Sequence, residues 1–592
     1  MARVWERGLP ALYLILATWV VLAFEGTGGS GDSEQHFLIA RWAPVHPELY
    51  LDHWGKPLFT LLASPFAQLG FAGMKAFNAL CMLGTLLMTM RLARRWELPH
   101  PVLAGLFLLA CPGVWELTFS GLTEPLFALG LVTVVVLAQE DRWRPAALVA
   151  GLLPFVRSEG LLVLGVFMCF LVLHRQWRAI PWSAAGHVLF GLAGWPLHGT
   201  PFWTFTRIPY AQGATGYGSG EAGHFVEQLL YLTGVPVYVL FWVGLLAAVV
   251  LVVRHPSWRE RLSMPLSFLV VLMAAHSLFW ALGIFHSMGL SRVLFPVLPL
   301  AAVAAAGGLA FLRQGMAGLH PLAGRGLAFL LIGWAVVFPF TPNPAALHVE
   351  DLEPTSDQRL MERVAEHLKD GTPGRIAHQH PGLDLALGHD PFDPEQHLGL
   401  QPADLEALRP GDRVVWDDWF AVVEAGLHQE ALERDPRLEL VARCVVETGT
   451  TAYYHTLREL SREPVLTDLL GRIRTDEVGH YKHFFQYFRQ LQDGQPVGRA
   501  RVARVLHARL RELRESDSDV ALRHVYAHKG RLFARDDPSF EAVSRRLYAL
   551  VSSRLPADQA VRMLLRPLLL PAWLERRLDP PIARLATWIM AP

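Results

Sequence analysis

Apolar runs at 11–24, 125–138, 160–173, 235–253, 264–282, 293–311 and 326–340 recur between short arginine-bearing loops from Leu9 to Phe340, whereas from Thr341 to Pro592 charges are spread throughout. Several runs are shorter than the roughly 20 residues that cross a bilayer core unaided, so each alone reads equally as a core helix; their number and rhythm predict a bundle of about eleven spans. Residues 9–24 have the length of a signal-peptide core, but no small-residue cleavage site follows and further spans come close behind, so they are read as the first span. Short segments near 56–72 and 145–160 leave the odd count open.

Beyond the membrane part the pattern changes twice. Gln358 to Leu368 has helical apolar spacing, and Arg413–Trp416 and Leu438–Val441 read as short strands bounded by Pro-Gly and Asp-Pro turns. Residues 447–457 and 465–491 then read as two helices. The expected architecture is mainly α: a polytopic transmembrane helical bundle over 1–344, a small α/β extracytoplasmic domain over 345–445, and a helical domain over 446–592.

Basic residues alternate between loops. Arg3 and Arg7, Arg91, Arg94 and Arg95, Arg142 and Arg144, Arg175 and Arg178, Arg254, Arg259 and Arg261, and Arg313 with Arg325 fall on one side, which the retention of Lys and Arg makes cytoplasmic. This orientation predicts an integral membrane protein of a bacterial inner membrane with its N-terminus inside. The first loop, at 25–70, the loop at 197–226 and everything after 341 then lie outside.

The formal balance of 53 basic and 53 acidic residues averages two unlike parts, and neither reads as a nucleic-acid binder. Of the four cysteines, Cys81, Cys111 and Cys169 lie in apolar runs and Cys444 has no partner, so no disulfide framework or zinc spacing is present.

Ionisable groups beside membrane spans are costly and point to function. Here they gather on the expected outer side: Asp32, Glu34 and His36; Asp52, His53 and Lys56; Glu124 in Gly-Leu-Thr-Glu-Pro; Arg157 and Glu159 in Phe-Val-Arg-Ser-Glu-Gly; then Arg207, a glycine-rich stretch from Gly213 to Gly220, His286 and Arg292. Carboxylates for hydroxyl chemistry with Lys and Arg for phosphate suit a sugar linked to a phosphate. Plainer readings stand beside this one. Arg157 and Glu159 pair across a helix break, Glu124 starts a helix as an N-terminal acid, Asp32 caps a juxtamembrane helix, and the glycines form a flexible loop without the strand and helix of a phosphate loop.

The order of one span, an outer loop with Gly31-Asp32, Lys56-Pro57 leading into the next apolar stretch, Thr123-Glu124-Pro125 and Arg157-Ser158-Glu159-Gly160 resembles the GT-C class of integral-membrane glycosyltransferases, most closely its mannosyltransferase and aminoarabinose-transferase-like branches, over residues 1–455. Leu58 stands where the aminoarabinose pattern has a second proline. The resemblance implies sugar transfer from a polyprenyl-phosphate donor to an acceptor hydroxyl at the outer face, with inversion. In it Asp32 orients or deprotonates the acceptor, and Lys56, with Arg207 or Arg292, stabilises the leaving phosphate. The donor and the surrounding membrane lipids are the partners it implies. No nucleotide-sugar site is implied, and some relatives need a divalent cation while others do not. A transporter or flippase for a lipid-linked sugar would use the same charges, although no inverted repeat is evident.

In the soluble part, His378, His380, His389, Asp390, Asp393 and His397 are irregularly spaced among turn residues and read as solvated loops rather than a metal site. Further on, Glu477 and His480 share a helix face, with Glu447 on the preceding helix. This segment resembles one half of a ferritin-like di-iron carboxylate protein, which implies a metal site at Glu447, Glu477 and His480. The matching half is missing from the chain, so di-iron binding would require a homodimer through the C-terminal helices. A metal oxidase or iron-binding protein with a membrane anchor is the corresponding alternative function.

Overall fold

The computed structural model describes residues 2–28, 31–208, 218–284, 288–369, 374–401, 411–428, 436–494, 496–515 and 539–552, with single residues and shorter stretches elsewhere up to 582. It divides into two compact units, 1–427 and 428–592.

In the first unit six helices are long and apolar enough to cross a membrane: Trp5–Ala23, Phe71–Arg95, Val235–Arg254, Pro256–Leu282, Ser291–Gly318 and Pro321–Phe340. Three shorter apolar helices, Pro57–Ala67, Glu124–Gln139 and Gly160–Leu173, lie among them. Length and composition of the described helices thus support six crossings, and the expected eleven are not established. Helix 291–318 is the most enclosed, whereas 321–340 turns Phe329, Leu330 and Val337 outward, as a lipid-facing helix does.

Close packing without a water-driven hydrophobic term between helices depends on small residues. Helices Val235–Arg254 and Leu298–Leu319 meet at Gly244 and Gly308, where a Cβ on either would collide with backbone, that of Ala304 and of Leu240 respectively. The neighbouring Gly307 has open space where its Cβ would go. Gly308→Leu is expected to destabilise by about 1–3 kcal/mol or more through overpacking, and Gly307→Leu to stay within roughly 0.5 kcal/mol. Thermal unfolding of the two variants in detergent, side by side, checks this.

A short helix, Gly31–Trp42, follows the first span. Its Phe37, Leu38 and Ala40 are buried with Phe59, Ala63, Met74 and Phe77 of the next two helices, which fixes the direction of its polar first turn. Residues 345–427 pack on this region. Three two-residue parallel strands, β1 (Ile376–Ala377), β2 (His397–Leu398) and β3 (Arg413–Val414), lie in the order β2-β1-β3. Helices Ser356–Lys369 and Pro381–Leu387 flank them, with Met361, Ala365, Ile376 and Leu383 as a small core. Arg375 ties β1 to the turn before β3 through Asp412, Nη2 to Oδ2 at 2.7 Å. The layer is anchored to the loop region that follows the first span by His46 and Asp390 at 2.8 Å, by Thr27 N donating to Gln358 Oε1 at 3.1 Å, and by Gly26 N donating to Leu352 O at 3.1 Å.

Two expectations are corrected here. His378, His380 and Asp390 are buried rather than solvated, because the strand pairing draws their turns inward. Leu438–Val441 is helix, not strand: it opens Pro436–Leu460, with Val441 and Val445 on one buried face, and Pro436 at the first position favours helix initiation.

The second unit is helical. Pro436–Leu460 and Pro464–Gly494 form a hairpin, joined by Ser461–Glu463, whose Glu463 carboxylate accepts from the amides of Val465 at 3.1 Å and Leu466 at 2.5 Å. Arg499–Glu515, Phe540–Ser552 and Ala557–Leu565 complete its described helices. The core holds Val441, Val445, Phe488, Val497, Val502 and Leu506.

Candidate active site

A cavity of about 370 Å³ opens in the first unit among the ends of the helices just described. Six charged side chains line it, three acids (Asp32, Glu124, Glu159) and three bases (Lys56, Arg157, Arg292), so its formal charge cancels. Trp54, Leu122, Leu161, Leu162, Ile208 and Phe279 give it apolar walls.

The charges form two linked groups. Arg157 bridges the fully buried Glu124, Nη1 to Oε1 at 2.5 Å, and Glu159, Nη2 to Oε1 at 2.8 Å, and donates to Thr123 Oγ1 at 3.2 Å. Arg292 bonds Asp32 through Nη2 and brings Nε within 3.8 Å of Glu124 Oε1. Lys56 Nζ donates to Ser158 Oγ at 3.0 Å. Its backbone takes a φ of 66°, held by the turn in which Gly55 N donates to Asp52 Oδ1 at 2.5 Å. Both the Arg157 pairing with Glu159 and the Glu124 helix start therefore exist as geometry, and both face the cavity.

Asp32 stands in the first turn of its helix and is half-exposed toward the cavity. Burial favours its protonated form, but the adjacent Arg292 guanidinium outweighs this and holds the carboxyl below the usual carboxylate range. His36, one turn on, is buried and stacked on Trp54 with ring centroids 4.6 Å apart; burial depresses its imidazole to about 3, so it is neutral near pH 7.

The other candidates serve elsewhere. Glu34 turns away from the cavity and accepts from Thr27 Oγ1 at 3.0 Å. Asp52 makes the turn before Lys56, and His53 Nε2 lies 3.0 Å from Thr204 O. Arg207 is exposed and does not line the cavity. Gly213–Tyr217 and His286 lie outside the described residues. Sequence reasoning gave Thr123 and Ser158 no role beyond the motifs that contain them, did not name Trp54 as a site residue, and missed His276. His276 is buried within helix Pro256–Leu282, with Nε2 3.9 Å from Glu159 Oε1; an ionisable residue inside an apolar run was the available signal.

Burial raises the Glu34 carboxyl to about 7, against the opposing hydrogen bond from Thr27 and with Asp357 adding to the rise. The folded chain therefore holds this proton where the unfolded chain, near 4.5, has lost it. The resulting contribution is present below about 4.5, falls as pH rises to about 7, and is flat above. Glu34→Gln is expected to remove this part of the slope and to raise the melting temperature above pH 7 relative to wild type. Melting curves of both proteins across pH check it.

In the second unit, Glu447, Glu477 and His480 do come together, with His480 Nδ1 3.5 Å from Glu477 Oε2 and 3.8 Å from Glu447 Oε2. Burial and the neighbouring Glu477 raise the Glu447 carboxyl to about 7. His480 is largely exposed.

Residues 56–280 match Glycosyltransferase family 87. The stretch includes Lys56, Glu124, Arg157 and Glu159, and excludes Asp32 and Arg292. The fold resembles that of ArnT from Cupriavidus metallidurans in its crystal structure bound to undecaprenyl phosphate, with a TM-score of 0.50 and 14% identity over 69% of this chain and 90% of that one. The apo crystal structure of the same protein gives a TM-score of 0.46 and 14% identity over 65% and 85%. No curated protein matches the chain. With the family 87 match taking in Lys56, Glu124, Arg157 and Glu159, four of the six charged groups of the cavity, the chain is identified as a membrane glycosyltransferase.

Proposed function

We propose that the chain moves a sugar from a polyprenyl-phosphate donor to an acceptor hydroxyl on the outer face of the membrane, with inversion. The observation that carries this reading is Asp32, a carboxylate half-exposed to a cavity that Lys56 and Arg292 also face, beside an apolar stretch of wall formed by Leu161, Leu162 and Phe279. The donor's phosphate would enter against Lys56 and Arg292, and its lipid chain would leave along the Leu161, Leu162 and Phe279 side. That a related fold has been crystallised with undecaprenyl phosphate supports the donor class.

Arg157 is held between the fully buried Glu124 and the half-buried Glu159, so it organises the wall of the cavity. Arg292 is different. Its partner Asp32 is half-exposed, and an incoming phosphate competes for the same guanidinium. Drawing Arg292 toward phosphate relieves Asp32 of the charge that makes it a poor base and frees it for the acceptor hydroxyl. The acceptor oxygen then attacks the anomeric carbon from the face opposite the phosphate, its proton passes to Asp32, and the electron pair of the breaking carbon–oxygen bond stays on the phosphate. The extra negative charge that develops there falls beside Lys56, an electrostatic stabilisation specific to the transition state.

Purified protein in detergent, given labelled sugar on a panel of polyprenyl-phosphate donors, should form a covalent product with at least one. Movement of lipid-linked sugar across vesicles without a covalent product would replace the proposal with a flippase. The meeting of Glu447, Glu477 and His480 supports a second, separate reading, a ferritin-like half-bundle that would bind iron on dimerisation. Iron co-purifying with a dimer and lost in Glu477→Ala would establish it, whereas an iron-free dimer would end it.

A further inference from the structure

In the small layer of the first unit, three buried or half-buried ligand atoms meet at one point. His378 Nε2, His397 Nδ1 and Asp384 Oδ1 are each 3.2 Å from the other two. His378 follows β1, His397 opens β2, and Asp384 lies on helix Pro381–Leu387, so three separate segments converge.

Hydrogen bonding alone accounts poorly for this triangle. Asp384 Oδ1 can accept from both imidazoles, but the two nitrogens then face each other at 3.2 Å, each with its proton directed at the same oxygen and neither bonded to the other. Tetrahedral zinc has nitrogen and oxygen ligands at about 2.0–2.1 Å, which sets neighbouring ligand atoms about 3.3 Å apart. An ion seated just outside the plane of the three atoms satisfies all of them and leaves a fourth position toward water. His389, five residues after Asp384, is in electrostatic range of all three, and its Nδ1 is enclosed without a hydrogen-bond partner. The set in the helical unit is looser, at 3.5–3.8 Å, and its histidine is open to solvent.

We infer that His378, Asp384 and His397 form a binding site for a divalent transition metal of the zinc class, one that pins β1 and β2 to helix Pro381–Leu387. Two imidazoles and a carboxylate suit zinc better than calcium or magnesium, which take oxygen ligands. The site is separate from the charged cavity, but the pinned helix packs directly on helix Gly31–Trp42, where Gly382 abuts Glu34. The ion would act as a clamp behind the helix that carries Asp32, not as a participant in sugar transfer.

The test uses the full chain in detergent, stripped with chelator and titrated with Co²⁺ alone. Wild type should take up one equivalent with the intense visible bands of a tetrahedral site, which Zn²⁺ then displaces. His397→Gln and Asp384→Asn should each weaken the uptake that gives these bands at least tenfold, and Glu477→Gln, which alters only the separate helical set, should leave the bands unchanged. Absence of such bands in folded wild type overturns the proposal, including the case in which the variants fail to fold. Bands that survive both substitutions, or that vanish only in Glu477→Gln, overturn it as well.

Discussion

Asp32→Asn is expected to lower sugar transfer on the order of 10²- to 10⁴-fold, the range of a lost general base, while the protein still folds and still binds lipid phosphate. Asn keeps the size of the side chain and can accept from Arg292, so the helix Gly31–Trp42, held by Phe37, Leu38 and Ala40, has no reason to move. What disappears is the group that takes the acceptor proton. The effect should fall on kcat rather than on donor KM, because the phosphate is met by Lys56 and Arg292. As far as this carboxyl governs it, wild-type kcat/KM should stay nearly level from neutral to mildly acidic pH, since in the donor-free protein Arg292 holds it below the usual carboxylate range. Equal loss of donor binding in Asp32→Asn would count against the assigned role.

Arg157→Met should have the largest effect on stability. It leaves Glu124, fully buried, and Glu159 facing each other without the cation that bridges them. Removing one partner from a buried ion pair costs about 3–5 kcal/mol, and here a single deletion takes the bridging cation from two carboxylates, leaving Glu124 with Arg292 Nε at 3.8 Å and Glu159 with His276 Nε2 at 3.9 Å. The measurement is thermal unfolding and yield of folded protein in detergent. Adding Glu124→Gln and Glu159→Gln to Arg157→Met removes the stranded charges and should recover much of the stability. If instead Arg157→Met melts like wild type, the triad is solvated and the cavity is wetter than its geometry indicates.

The sequence made the membrane character and most of the charged cavity legible for one reason: an ion near a bilayer is expensive, so position alone flags it. Lys56, Glu124, Arg157, Glu159 and Arg292 were found in this way and converge in space. The same rule swept in Glu34 and Asp52, which bond within the loop region around the first short helix, and His53, which bonds Thr204, because sequence position does not reveal which way a side chain points. Ser158 and Thr123 stood inside quoted motifs but drew no role of their own, because neutral hydroxyls carry no cost signal. The span count was less legible, since Glu124–Gln139 and Gly160–Leu173 are apolar enough yet short, and apolarity does not tell lipid from protein. The burial of His378, His380 and Asp390 was hidden for a different reason. It depends on pairing between β1 and β2, and turn residues around an irregular histidine series look solvated until that pairing is known. At Leu438–Val441 a window of four residues was too short to separate periods of 2 and 3.6.

Gly31 leaves no room for a side chain beside the Phe420 ring, and Asp32 bonds Arg292. The helix carrying Asp32 thus leaves the ribosome well before Arg292 and Phe420, the groups that hold its first turn, and chains fold as they are synthesised from the N-terminus. The site is begun early and finished late. A chain ending at residue 344 would insert its spans and carry every charge of the cavity, but would lack the wall behind Asp32. The nascent enzyme should therefore stay silent until the stretch around Phe420 has been made.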